Sequence, residues 1–323
     1  NSKPFDPNGY IFQALVRALS RRSDLRLYVI NSDQLMQIPI DPLNQFLLVY
    51  GGEELHQISP ELILRPFGRR AIWFTEDPYE VKRNQDSSKF FHVVFTNDSG
   101  SLDFYRNAFH LPLAADPDFI PSPLIDGLRR LLFFSGTAWP NRKELLNELL
   151  NQWPNAEDLD LHLVANPFVE RQVGKHRLHQ NLCFEEPIAI SDFSLRSANS
   201  LCTLVVGRAF SGSGRHIYAR SPGPRLFEAG LTGSCQLGHS SEIRDMPVGL
   251  EEGRHYLRFS SAEELVDLLR EAKVNPDSFR AIGGAMASQI HSQHTYDQRA
   301  AVIVQSLLHC NPEGIDIVEP KSG

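Results

Sequence analysis

Residues 221–237, Ser-Pro-Gly-Pro-Arg-Leu-Phe-Glu-Ala-Gly-Leu-Thr-Gly-Ser-Cys-Gln-Leu, run from a rigid loop through a short helix into an apolar strand. Pro224 suits the first position of a helix over 225–231, since its missing N–H would have no partner there. The prolines and Gly223 place a loop with free backbone N–H groups just ahead of that helix, the geometry of an anion site. Arg225 and Glu228 lie three residues apart and face the same side. A diphosphate would want the guanidinium, and a ribose diol the carboxylate. A capped amphipathic helix carrying a surface ion pair fits the same pattern. The helix is read to Leu231, and 234–237 reads as a strand.

Outward from this segment, helix and strand signals alternate. Upstream lie strands at 131–134, 159–164 and 201–206, a strand or turn at 182–184, and helices at 142–150 and 192–198. Downstream come a strand at 256–259 and a helix at 262–272, for which Ser261 and Glu264 form a capping box. Amphipathic helices over 276–291 and 295–309 follow, then a loose tail from Pro312. The first 120 residues show a similar order: a helical stripe of Ile11, Leu15, Val16 and Leu19, then strands at 25–30, 46–50, 71–74 and 92–95. The strands end in turn chemistry: Gly51-Gly52, Glu76-Asp77-Pro78 and Asn97-Asp98-Ser99-Gly100. Continuous apolar runs point to strands covered on both faces, hence to parallel sheets of two Rossmann-like α/β domains. Pro112, Pro117, Pro121 and Pro123 mark the connection, with the boundary near Pro121. Residues 1–121 and 122–294 are read as the two domains, and 295–323 as a helix and tail packing back on the first. Such a pair faces across a cleft at the carboxyl ends of its strands, where ligands of these folds bind.

A length of 323 residues suits two such domains. With 32 basic and 39 acidic residues the net charge is -7, so no global field draws the chain to nucleic acid, and any anion site must be local. Mean hydropathy is -0.27. No run approaches the ~18 apolar residues of a membrane helix, and the N-terminal residues lack a signal-peptide layout. The expectation is a soluble, cytoplasmic chain. Cys183, Cys202, Cys235 and Cys310 show no C-x-x-C spacing and are read as reduced and structural. His176 with His179, and His291 with His294, have metal-compatible spacing but no third ligand in a zinc pattern, so no metal is expected. The glycine-rich stretch at 207–218 lacks a Walker lysine; it is read as a loop closing over a ligand, or as a plain mobile loop.

Six segments carry a family resemblance. The run from Arg225 to Gly233, the later Tyr256-Leu-Arg-Phe-Ser-Ser-Ala-Glu-Glu-Leu265 and His294-Thr-Tyr-Asp-Gln-Arg299 resemble the C-terminal half of GT-B glycosyltransferases, more narrowly the spore-maturation glycosyltransferase-like family. Phe133-Phe-Ser-Gly-Thr-Ala-Trp-Pro-Asn-Arg-Lys-Glu-Leu-Leu146 resembles the opening of that family's second domain. Trp73-Phe-Thr-Glu-Asp-Pro-Tyr79 resembles a turn in its first domain, and Leu111-Pro-Leu-Ala-Ala-Asp-Pro117 a linker motif. The resemblance covers roughly residues 70 to 300.

It implies a GT-B fold and transfer of a sugar from a nucleotide diphosphate donor, held mainly by the second domain, to an unidentified acceptor held mainly by the first. Glu228 matches the glutamate that bonds the ribose hydroxyls. Arg142 and Arg225 match basic positions near the diphosphate, and Gly136 with Thr137 a loop that phosphate can approach; 164–166 would lie beside the base. Fixed N–H dipoles and arginine can stabilise a leaving diphosphate without a metal. Many retaining relatives carry a second glutamate about eight residues before the ribose-binding one; Arg220 stands there, where it would add a phosphate contact but leaves the anomeric outcome open. An inverting route needs a general base in the first domain. Asp77 is the first candidate, with Glu76, Asp98 and His92 behind it, and a purely turn-forming Asp77 the plain alternative. An epimerase or phosphorylase on the same architecture, or a non-catalytic two-lobed sugar-binding protein, would share these features.

Overall fold

A computed structural model describes residues 9–51, 67–120, 130–165, 178–212, 215–241 and 244–309. The chain divides into two compact units, Asn1–Pro112 with Asp297–Gly323, and Leu113–Tyr296. Pro121, near which the sequence reading placed the boundary, lies outside the described residues, as do Asn166, His176 and Cys310.

In the first unit, α1 (Gly9–Ser20) buries Ile11, Ala14, Leu15, Ala18 and Leu19, a stripe at helical spacing. The short α2 (Ser32–Gln37) starts at a reciprocal cap: the Asn31 side chain accepts from the Gln34 N–H, and the Gln34 side chain from the Asn31 N–H. Strands β1 (Phe46–Tyr50) and β2 (Arg69–Phe74), helix α3 (Val81–Ser88), strand β3 (Val93–Thr96), a 3-10 helix (Ser99–Phe104) and strand β4 (Ala108–His110) complete the described elements before residue 112. The four strands pair in chain order, all parallel. Ile72, Trp73, Phe74, Val94 and Phe95 are fully buried, as strands covered on both faces require.

The strand expected at 25–30 does not form. Among the described residues the sheet stops at β1, so this run has no ladder partner, and Tyr28 and Val29 are 62% and 53% exposed. Arg26 stacks on the Tyr28 ring instead, 5.0 Å from its centroid.

The second unit holds β5 (Arg130–Thr137), α4 (Pro140–Gln152), β6 (Leu159–Val164), β7 (Phe184–Glu185), α5 (Ile190–Ala198) and β8 (Ser200–Val205). A small antiparallel ribbon follows, β9 (Phe210–Gly212) with β10 (Arg215–Ile217), within the stretch read from sequence as a loop. Next come α6 (Pro224–Leu231), β11 (Cys235–His239), β12 (Tyr256–Phe259), α7 (Ala262–Val274) and α8 (Pro276–Gln293). The last helix, α9 (Tyr296–His309), begins at the edge of this unit and belongs from Asp297 onward to the first.

The six-stranded sheet is wholly parallel, in the order β12-β11-β8-β5-β6-β7. Counted along the chain this is the 3-2-1-4-5-6 order of the dinucleotide-binding fold, and the direction of winding reverses between β5 and β8. One face carries the main core: Leu146 and Leu149 of α4 and Leu265 and Leu269 of α7 pack over Leu132, Cys202, Leu204 and Leu237. On the other face Phe193 of α5 and Ala229 of α6 pack on Phe133. Cys202 and Cys235 are register partners across β8 and β11, and burial pushes the Cys202 thiol up. Helix α7 starts on a modified box: Ser261 Oγ accepts from the Glu264 N–H at 3.2 Å, but the Glu264 carboxylate accepts from the N–H of Ser260, one residue earlier than expected, at 2.6 Å.

Candidate functional site

The reversal point between β5 and β8 is where an open parallel sheet leaves a crevice. There β5 runs into Gly136 and Thr137, and Pro140 occupies the first turn of α4. Arg142 turns back from that helix over the sheet edge. Its Nε donates to the carbonyls of Val206 (3.0 Å) and Gly207 (3.1 Å), and its Nη1 to that of Thr137 (3.1 Å). A Cβ on Gly136 would sit 2.9 Å from Arg142 Nη1, so the space left by this glycine is filled by the guanidinium. The phosphate access suggested for Gly136 is therefore taken in this structure by a side chain of the same chain. Beside it Asn141 bonds both ways with the segment after β8, donating to the Gly207 carbonyl and accepting from the Ala209 N–H, each at 3.2 Å. Arg208 lies over the Trp139 ring at 5.8 Å.

The N-terminus of α6 has Gly223 as its cap residue, with no side chain capping the first amides and open space around its Cα. Arg225 and Glu228, brought together by helical spacing, form an ion pair of 2.6 Å. The arginine is anchored a second time by the Phe193 ring, 4.5 Å from its guanidinium carbon. Glu228 is only 6% exposed, and while Oε2 holds Arg225, its buried Oε1 has no hydrogen-bond partner among the described residues. A buried acceptor left open in this way costs about 1–3 kcal/mol, a penalty a ligand hydroxyl would remove. Arg220 makes a two-pronged pair with Asp245, Nε to Oδ2 at 2.9 Å and Nη2 to Oδ1 at 3.2 Å.

In the first unit, Asp77 is fully buried at the carboxyl end of β2. Its carboxylate accepts from Thr96 Oγ1 (2.7 Å), Asn84 Nδ2 (2.9 Å) and the Tyr105 hydroxyl, which reaches both oxygens at 2.9 Å. Its backbone N–H donates to Asn97 Oδ1, and Asn97 Nδ2 donates back to its carbonyl. Burial raises the carboxyl's pKa, against the lowering pull of those donors, and burial with the Asp77 charge pushes Tyr105 up as well. Both oxygens are committed inside a closed network, which is the arrangement of a residue holding its turn. Asp98 is also buried and accepts from Ser101 Oγ at 3.1 Å. His92 precedes β3, at the amino edge of the sheet, where its Nδ1 accepts from the Arg70 N–H. Glu76 is the half-buried carboxylate of the turn.

Sequence reading missed Asn141 and Phe193, and it missed a buried group on β6. There His162 lies between the Glu185 carboxylate (2.9 Å) and the Glu186 carbonyl (2.7 Å), with Arg196 bridging to Asp160. Asp160 and His162 alternate with Leu159, Leu161 and Leu163, a period-two signal that marks the face opposite the main core. His294 packs on Phe227 and bonds the Val248 carbonyl, and among the described residues no group of three or more His, Cys, Asp or Glu side chains could hold a metal ion. Nor is any described helix long and apolar enough to cross a membrane.

The glycosyl transferase-like family matches residues 142–305, just over half of the 323-residue chain. The chain belongs to that family. The glycosyl transferase-like region begins at Arg142 and takes in α6 with Arg225 and Glu228. No curated protein matches the chain in sequence. Among solved structures it is similar to HepE from Anabaena in complex with UDP-glucose, at 13% identity and a TM-score of 0.58 over 80% of this chain and 79% of that one. It is also similar to sucrose-phosphate synthase from Thermosynechococcus elongatus, at 12% identity and a TM-score of 0.57 over 80% and 72%. TarM is a third neighbour, at 10% identity and a TM-score of 0.59 over 86% of this chain and 57% of that one. At such identities the likeness establishes architecture: this glycosyl transferase-like chain has the GT-B fold, with two parallel α/β sheets.

Proposed function

We propose that the protein transfers a glycosyl group from a nucleoside diphosphate sugar to an acceptor hydroxyl, with the donor held by the second unit. The observation that carries this reading is the Glu228 carboxylate, buried and ion-paired through one oxygen, its other oxygen open for a ribose hydroxyl. The uncapped N-terminus of α6 and Arg225, fixed by Glu228 and Phe193, supply amide dipoles and a cation for the diphosphate. In the reaction the bond from the anomeric carbon to the diphosphate oxygen breaks and its electron pair stays on the diphosphate. A new bond forms to the acceptor oxygen, whose proton is released. Preorganised donors aimed at the leaving diphosphate lower the barrier by stabilising charge that grows in the transition state. Such donors suffice without a metal ion, and metal independence is part of the proposal. The HepE complex makes UDP-glucose the first donor to try.

The test is product identity when the protein is incubated with UDP-, GDP- or dTDP-sugars and a glycan-rich acceptor extract. Transfer predicts release of nucleoside diphosphate with the sugar on a new acceptor. In a parallel incubation with inorganic phosphate and glycan but no nucleotide sugar, formation of a sugar 1-phosphate would identify a phosphorylase instead, and conversion of the nucleotide sugar to its epimer would identify an epimerase.

A further inference from the structure

We propose that Asn141 and Arg142 are positioning residues, a side-chain clamp that spans the donor crevice and fixes the distance between its two walls. The inference rests on the donor reading above but assigns these residues a task other than binding phosphate. The ladder between β5 and β8 covers only Arg130↔Ser200 to Phe133↔Thr203. Beyond it β5 continues to Thr137 paired with β6, and β8 continues to Val205 paired with β11. The sheet therefore splits at the reversal point, and carbonyls on both sides lose the partner a continuous ladder would supply. Arg142 and Asn141 replace that ladder. One guanidinium ties Thr137 on the β5 side to Val206 and Gly207 on the β8 side, and one carboxamide ties Gly207 and Ala209 to the start of α4. The planar fork of arginine reaches both walls at once, which a lysine cannot do. A Cβ on Gly136 would meet Nη1 at 2.9 Å and push the guanidinium out of this position.

A clamp and a phosphate ligand make opposite predictions. The variants are R142K, which keeps charge but loses the fork, R142M, which loses both, and G136A, which leaves Arg142 in place but pushes its guanidinium aside. Binding of UDP and of uridine is measured for each by calorimetry and competition NMR. For a clamp, all three variants weaken UDP and uridine by the same factor, about tenfold, because the whole crevice changes shape. The proposal is overturned if R142K binds UDP as the native protein does while R142M loses UDP affinity and keeps that for uridine. A ligand-free readout covers variants that fold poorly. In N141A, the amide of Ala209 loses its Asn141 acceptor and should exchange with solvent at least about ten times faster, while amides of β6 stay unchanged. Unchanged exchange at Ala209 would also overturn the clamp. Failure of the native protein to bind any nucleotide would count against the donor reading alone, since the exchange experiment needs no ligand.

Discussion

Glu228→Met separates a residue retained for binding from one retained for stability. Methionine matches the length of glutamate and removes both oxygens. The native carboxylate gains an ion pair to Arg225 at 2.6 Å and loses the hydration of Oε1, which stays buried and without a partner among the described residues. Removing that orphan returns about 1–3 kcal/mol. Losing the pair costs a comparable amount, and the Arg225 side chain, 36% exposed, can turn to water. The two effects offset, so the variant should melt within about 2–4 °C of the native protein, the shift expected of ~1 kcal/mol in a unit of this size. Binding should respond differently. A ribose hydroxyl donating to a carboxylate contributes about 1.5–3 kcal/mol, so the Kd for UDP should rise about 10- to 150-fold. Calorimetry with UDP and 2′-deoxy-UDP locates the effect: the native protein should prefer the ribose form, and the variant should bind both alike. Native-like discrimination in a folded Glu228→Met protein would refute the ribose assignment, and a collapse in melting temperature would refute the stability argument.

Asp77→Asn should destabilise the first unit by about 1–3 kcal/mol, because an amide N–H would face the donors of Asn84, Thr96 and Tyr105. UDP binding should be unchanged; a folded variant with native stability and no turnover would restore Asp77 as the general base. The native carboxyl has a pKa raised by burial, so its stability contribution is complete below its unfolded pKa, near 4, and falls as pH rises through the folded value. The native advantage over Asp77→Asn should therefore shrink from pH 4 toward neutrality in chemical denaturation, and growth over that range would contradict the assignment. On α8, Gly283→Ala would drive a Cβ into the Gly233 carbonyl, whereas a Cβ on Gly284 meets nothing within 4 Å. Overpacking of about 1–3 kcal/mol against rigid backbone outweighs the ~1 kcal/mol gained in helix propensity, so Gly283→Ala should lower the melting temperature and Gly284→Ala raise it.

The parallel α/β architecture was legible because β2 and β3 are continuous apolar runs, the mark of strands buried on both faces. Helix α3 was not, because its buried face is Val81, Asn84 and Ser88; two of the three are polar, Asn84 serving the Asp77 network and Ser88 bonding the Gln85 carbonyl, rather than filling an apolar core. Residues 25–30 misled for the converse reason, since an apolar run becomes a strand only with a neighbouring edge to pair with. At the site, Arg225 and Glu228 could be paired from sequence because helical spacing is a local rule. The work of Arg142 could not. Its partners are backbone carbonyls, two of them more than sixty residues away in sequence, and a carbonyl leaves no signature in residue type. Arg220 shows the same limit: its partner Asp245 lies 25 positions downstream, outside any local pattern.

The central claim, that the second unit is a nucleoside diphosphate sugar site, is tested most directly by calorimetric titration of the native protein with UDP-, GDP- and dTDP-sugars, with the corresponding free sugars as controls. Saturable binding of at least one nucleotide sugar, competed by its nucleoside diphosphate and absent for the free sugar, is the predicted result. Tight binding of a free sugar with no response to any nucleotide sugar would contradict it and mark a two-lobed sugar-binding protein.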